Sequence, residues 1–266
     1  MTFLVIFIAL LVERFFDWSN IRRWNWLTAY AHVISQRFSQ LPSFVILLIV
    51  ILPGIIVVGL VEYFLRGWLY GFLDFLYQLC FFIYCLGPQN LWADTLHSSS
   101  HDHNATSETD ASLSLTEQST NNIFVAANQR LFAVLFWYFI LGPIGAFLYR
   151  GVAWLGTSSQ SAKLSALLVQ SAYRVQLILD WVPARLFVCI FALGGHFTHV
   201  MACFRQKIAL NLESNTLLLS ECGIAALNGN AEITATENLL EKQAISLLDR
   251  AFVIALVIVA LLVLIV

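Results

Sequence analysis

Residues 43–65, SFVILLIVILPGIIVVGLVEYFL, carry no charge before Glu62. At 1.5 Å of rise per residue, an apolar helix of about 20 residues matches the hydrocarbon core of a bilayer, and a soluble domain has no comparable place for it. Pro53 and Gly54 in its middle would kink a soluble helix, but membranes tolerate such breaks where neighbouring helices satisfy the backbone. The rest of the chain shares the bias: of 266 residues, 59% are hydrophobic and 11% charged, and the mean hydropathy is +0.78. That composition excludes an ordinary soluble domain. The expected fold is all-α: a polytopic membrane protein forming a single membrane domain over 1–266, with about four to six membrane-embedded helices plus interfacial helices.

The other apolar stretches differ in quality. Trp68 to Leu86 follows the Arg66-Gly67 hinge and is expected to complete a hairpin with 43–65. Leu131 to Leu155 is long enough to cross, or to enter and leave on one side if Gly142-Pro143 splits it into two half-helices. Leu186 to Phe204 and Ala251 to Val266 make two further spans. The first segment has twelve apolar residues before Glu13-Arg14 and reaches membrane thickness only with Phe15, Phe16 and Trp18 at the interface. It lacks the basic start and small-residue cleavage site of a secretory signal, so it is expected to be retained.

Three polar connections separate these runs. Residues 19–42 contain Arg22, Arg23 and Arg37 and only basic charge after Asp17, which reads as cytoplasmic under the positive-inside rule. If every span crosses fully, the same rule conflicts with Arg150, Lys163, Arg174 and Arg185, and a re-entrant 131–155 removes the conflict. The stretch 94–122 has no Lys or Arg and few large apolar residues, so it cannot offset its ordering entropy and is expected to be a disordered polar loop. Residues 205–249 have helical apolar spacing and are expected to form an extramembrane helical segment. From Lys163 to Leu179 the pattern is that of an interfacial helix.

That helix leads into ILDWVPAR, residues 178–185, where an apolar chain places an acid and an arginine. One reading is structural. Asp180 caps a new helix, Pro183 sits in its first turn, Trp181 anchors at the headgroups and Arg185 snorkels outward. The other makes Arg185 a donor to an anionic group, with Asp180 as its organiser. Spacing alone leaves both open. Glu13-Arg14 is a charge pair at a membrane boundary, where an ionisable residue raises the question of a site. His196 and His199, at i and i+3, are expected to be hydrogen-bonded within a helix bundle rather than to hold a metal. His97, His101 and His103 match no metal-ligand spacing. The five cysteines are an odd number, expected to be unpaired packing residues. No phosphate-binding loop, dinucleotide fingerprint, nucleophile elbow or HExxH is present, so nothing calls for a cofactor, a metal or an enzyme. A formal net charge of −2 offers no basic surface for nucleic acid.

Several ordered blocks carry a family resemblance: LLVERFF at 10–16, CLGPQNLWAD at 85–94, AANQRLFAVLFWYFILGPIGAFLYRGVAWL at 126–155, ILDWVPARL at 178–186, ALGGHF at 192–197 and ECGIAAL at 221–227. In these the chain resembles the AmpE family of bacterial inner-membrane proteins, related to the CbiB/CobD adenosylcobinamide-phosphate synthases. Counterparts of the synthases' FW…GxPG…YR and PAR elements are Phe136, Trp137, Gly142, Tyr149, Arg150, Pro183, Ala184 and Arg185. The synthases' YR is followed by Asn-Thr-Leu-Asp, and their N-terminus contains His-Pro; here GVAWLGTSS follows, and there is no His-Pro. The resemblance therefore implies a non-enzymatic regulator of β-lactamase induction and cell-wall recycling in the inner membrane, multi-pass in topology. Its partners would be the lipid bilayer and a membrane protein or an anionic ligand. A cobalamin-type synthase is the alternative. The residues nominated for a ligand or partner site are Glu13, Arg14, Asn128, Arg130, Tyr149, Arg150, Asp180, Pro183, Arg185 and His196.

Overall fold

Apolar side chains recurring every fourth residue face one side of a helix, and two long helices here leave such stripes uncovered. On α3 (Ser43–Leu65) the stripe is Leu48, Leu52, Ile56 and Leu60; on α10 (Glu237–Ile265) it is Val253, Val257, Leu261 and Ile265, all exposed. Contiguous apolar surface of this length belongs against lipid. The computed structural model describes residues 2–15, 24–38, 40–65, 71–86, 123–157, 164–207, 214–227 and 237–265. Every regular element among them is helical: α1 (Thr2–Phe15), α2 (Asn25–Arg37), α3, α4 (Phe72–Cys85), α5 (Ile123–Leu141), α6 (Pro143–Thr157), α7 (Ala166–Gly194), α8 (Phe197–Lys207), α9 (Ser214–Leu227) and α10. Four described stretches are long and apolar enough to cross a membrane: α3, α5, α7 and Lys242–Ile265 within α10. The chain is an all-α membrane protein.

It packs as two units. The first comprises residues 1–88 and 133–179, the second 89–132 and 180–266, and the boundary falls inside both α5 and α7. In the first unit α6 is the buried element, with α2, α3, α4 and the second half of α5 against it. Its Phe147 ring lies where a Cβ on Gly54 would sit, 2.3 Å away, so the glycine beside Pro53 lets α3 approach closely. Trp24, fully buried, stacks on Tyr84 and tilts against Phe147. In the second unit Phe187 is the hub: it stacks on Phe132 at 4.5 Å and packs against Phe191 and Phe252, while Phe124 meets Phe191 edge-on. A Cβ on Gly223 would fall 2.5 Å from the Phe124 ring, which draws α9 against the same core.

The segment expected to run from Leu131 to Leu155 is split. Gly142, at φ +66°, ends α5 by donating its N–H to the Tyr138 carbonyl, and Pro143 opens α6, where a missing N–H costs nothing. Residues 137 and 145 would be about 12 Å apart along a straight helix, yet a Cβ on Gly145 would lie 2.2 Å from the Trp137 carbonyl oxygen. The chain therefore bends sharply at Gly142, and residues 131–155 are not one straight helix.

Three other expectations are corrected. The span expected over Trp68–Leu86 is a helix of only 14 residues, Phe72–Cys85, entered through Gly71 at φ +84°. The interfacial helix ending at 179 and the span beginning at 186 are one 29-residue helix, α7, which stops at Gly194; α8 then begins at Phe197. Asp180 therefore caps nothing, and Pro183 lies in a helix interior. The helix survives because the Leu179 carbonyl, deprived of its i+4 donor by the proline, accepts the Trp137 indole N–H at 3.2 Å. Within the segment expected at 205–249, the described parts are the end of α8, α9 and the start of α10. The polar loop 94–122, with His97, His101 and His103, lies outside the described residues.

Candidate functional site

In the second unit the Arg185 guanidinium is held from three sides. One turn back, the Trp181 carbonyl accepts Nη1 at 2.9 Å; across the helix packing, Asn215 Oδ1 on α9 accepts the same nitrogen at 3.1 Å. The Trp181 ring lies under it, 4.0 Å from the ring centre to Cζ. Such a cation over an indole contributes about 0.5–2 kcal/mol, depending on how dry the site is. A long, rotamer-rich side chain is thus pre-set with its planar fork fixed. Asn215 is buried although it is polar, and Ser214 and Asn215 open α9, so the first turn of that helix delivers this acceptor.

Asp180 is also buried, on another side of α7: five residues separate it from Arg185, about 140° around a helix. The side-chain acceptor shown for Arg185 is Asn215 Oδ1, and Asp180 Oδ1 accepts Asn128 Nδ2 at 3.5 Å. Asn128 begins a π-helical turn, Asn128–Phe132, in the middle of α5, a distortion frequent at functional sites. Its Oδ1 is buried and has no hydrogen-bond partner among the described residues. An unsatisfied amide oxygen beside a buried carboxylate is costly in an apolar setting, by about 1–3 kcal/mol, so it marks a place where a donor is wanted. Arg130, on the same π-turn, is half-buried.

Tyr149 and Arg150 belong to the first unit, on α6; both are buried, and the Arg150 guanidinium lies 5.9 Å from the Trp154 ring centre. Pro183 is buried in α7. Glu13 and Arg14 fall in the last turn of α1. His196 lies between α7 and α8, half-buried, with its ring edge-on to that of His199 at 6.0 Å. His199 is exposed, so the two are not enclosed together as expected: α7, which carries the chain to this point, ends at Gly194, and α8 starts afresh at Phe197. Among the described residues no group of three metal-binding side chains forms.

Sequence reasoning missed two features. One is Asn215, which no motif flags and which becomes visible only as Arg185's acceptor. The other is a polar chain in the first unit: Tyr138 Oη donates to Gln78 Oε1 at 3.1 Å, and Gln78 Nε2 donates to Asp74 Oδ2 at 3.1 Å. Its signal was present, since Asp74 and Gln78 are one turn apart inside an otherwise apolar aromatic helix. Gln176 is a further buried polar side chain, with Oε1 lacking a partner among the described residues.

Within the second unit, Asn128 from the block 126–155 meets Asp180 from the block 178–186, and Arg185 of that same block meets Asn215. The family model of the regulatory signalling modulator protein AmpE matches residues 1–266, the entire sequence. The chain belongs to the AmpE family. No curated protein and no solved structure matches it. For this AmpE-family chain the family description gives a regulatory signalling role, and the groups around Arg185 are a cation held by hydrogen-bond acceptors and an aromatic face.

Proposed function

We propose that this AmpE-family protein works in the bacterial inner membrane as a multi-pass regulator of β-lactamase induction and cell-wall recycling, by binding a membrane-protein partner or an envelope-derived ligand through an anionic group at Arg185. The observation that carries this reading is the pinned guanidinium: Asn215, the Trp181 carbonyl and the Trp181 ring fix its orientation before any ligand arrives. Pre-setting a side chain removes ordering entropy from the binding step, which is a use for such a cluster beyond stability. A planar guanidinium fork matches the geometry of a carboxylate or phosphate oxygen pair. Asp180 and Asn128 add a buried polar neighbourhood in the same unit, which supports recognition of a polar group.

The experiment uses a host strain lacking the chain, complemented with wild type or with Arg185→Lys at matched membrane levels. Lysine keeps the charge and loses the fork, so β-lactamase induction by a sub-inhibitory β-lactam should be impaired in the variant. Full induction by Arg185→Lys would return the residue to a structural role. ATP hydrolysis by the purified protein dependent on a corrinoid acid would instead favour a synthase.

A further inference from the structure

Cys203 on α8 and Cys222 on α9 are free thiols whose Sγ atoms are 3.2 Å apart. We propose that they form a redox modification site, closed by an aqueous peroxide into a disulfide that staples α8 to α9. A disulfide bond is about 2.05 Å long, so the sulfurs need to approach by only about 1 Å, within the reach of small side-chain adjustments. Their register is fixed on both sides. At one end the His196 N–H donates to the Ala226 carbonyl at 3.3 Å, and at the other Lys207 Nζ pairs with Glu221 Oε2 at 2.8 Å. The thiols lie between these two points, and from two residues along α8 after half-buried Cys203 the polar side chains of Arg205, Gln206 and Lys207 are exposed.

The two cysteines have unequal roles. Cys203 is half-buried and meets the oxidant; Cys222 is buried, and burial pushes its thiol up, so it waits in the protonated form. The Cys203 thiolate attacks one peroxide oxygen, breaking the O–O bond and giving a sulfenic acid and hydroxide. The Cys222 sulfur then attacks the Cys203 sulfur: the S–S bond forms, the S–O bond breaks, and the leaving oxygen departs as water with the Cys222 proton. One hydrogen peroxide is reduced to two waters as two thiols are oxidised.

The test uses the full-length protein in membrane vesicles, treated with hydrogen peroxide, quenched, denatured and alkylated with a mass-tagged maleimide. The expected result is two fewer tagged thiols than before oxidation, restored by dithiothreitol, and a linked peptide pair containing Cys203 and Cys222. Cys203→Ser should abolish the linkage and leave Cys222 taggable after oxidation; because the half-buried position tolerates serine, this variant serves even if Cys222→Ser does not accumulate. Full tagging of both thiols under peroxide that oxidises glutathione completely would overturn the proposal. So would linkage of either cysteine to Cys189 instead.

Discussion

Replacing Trp137 by Phe deletes the indole N–H that satisfies the Leu179 carbonyl and keeps most of the ring. The carbonyl needs that donor only because Pro183 has no N–H to offer it, so the cost should depend on residue 183. Hydrogen bonds between membrane helices average about 0.6 kcal/mol and reach about 1.7 kcal/mol. A half-buried bond of 3.2 Å to a carbonyl with no other helical donor belongs in the upper part of that range, at about 1 kcal/mol. Pro183→Ala restores the i+4 N–H. Trp137→Phe should therefore cost about 1 kcal/mol more in the Pro183 protein than in the Pro183→Ala background, roughly a fivefold difference in the folded-to-unfolded ratio. The lost ring volume is common to both and cancels in the cycle. The assay is reversible unfolding in mixed detergent micelles with increasing dodecyl sulfate, followed by tryptophan-independent circular dichroism. Equal costs in the two backgrounds would refute the claim that the indole replaces the proline's missing donor.

Three further outcomes follow from the same geometry. Gly145→Ala puts a methyl 2.2 Å from a backbone carbonyl oxygen and should destabilise by about 3 kcal/mol, whereas Gly142→Ala meets open space and carries only left-handed strain of about 1–2 kcal/mol; detergent unfolding should rank them in that order. The Lys207 ammonium is held above its ordinary 10.5 by the Glu221 hydrogen bond and charge. A raised value means the pair's contribution is present below the unfolded lysine range and lost as pH rises through the folded value, so a small midpoint difference between wild type and Lys207→Met at neutral pH should vanish in strong alkali. Asn215→Ala removes Arg185's acceptor while leaving its charge, and induction should fall with membrane level unchanged; wild-type induction would separate Asn215 from function.

Much of the architecture was legible because membrane-length apolar runs leave few options: α3 and the apolar part of α10 lie where hydropathy puts them, and the break at Gly142-Pro143 falls at the residues that mark it. What misled was punctuation. Asp-x-x-Pro reads as a helix start in water, but Trp137, forty-two residues upstream of Leu179, supplies a bond that lets α7 run through. Local pattern cannot register a donor so distant in sequence. The candidate site was legible at Arg185, Asp180 and Asn128, which the family blocks contain, and illegible at Asn215, whose role depends on how α9 packs on α7. Asp74 and Gln78 were readable as polar intruders in an apolar helix and were passed over because the aromatic run around them looked like a plain span.

The most direct measurement places a photoreactive amino acid at Val182, exposed on α7 one turn from Arg185, and irradiates living cells before and after exposure to a β-lactam. The account predicts an adduct with a defined protein or anionic envelope fragment that is lost in Arg185→Lys and in Asn215→Ala at equal expression. Adducts with bulk lipid alone, or the same adduct in all three proteins, would contradict a recognition site at the pinned arginine.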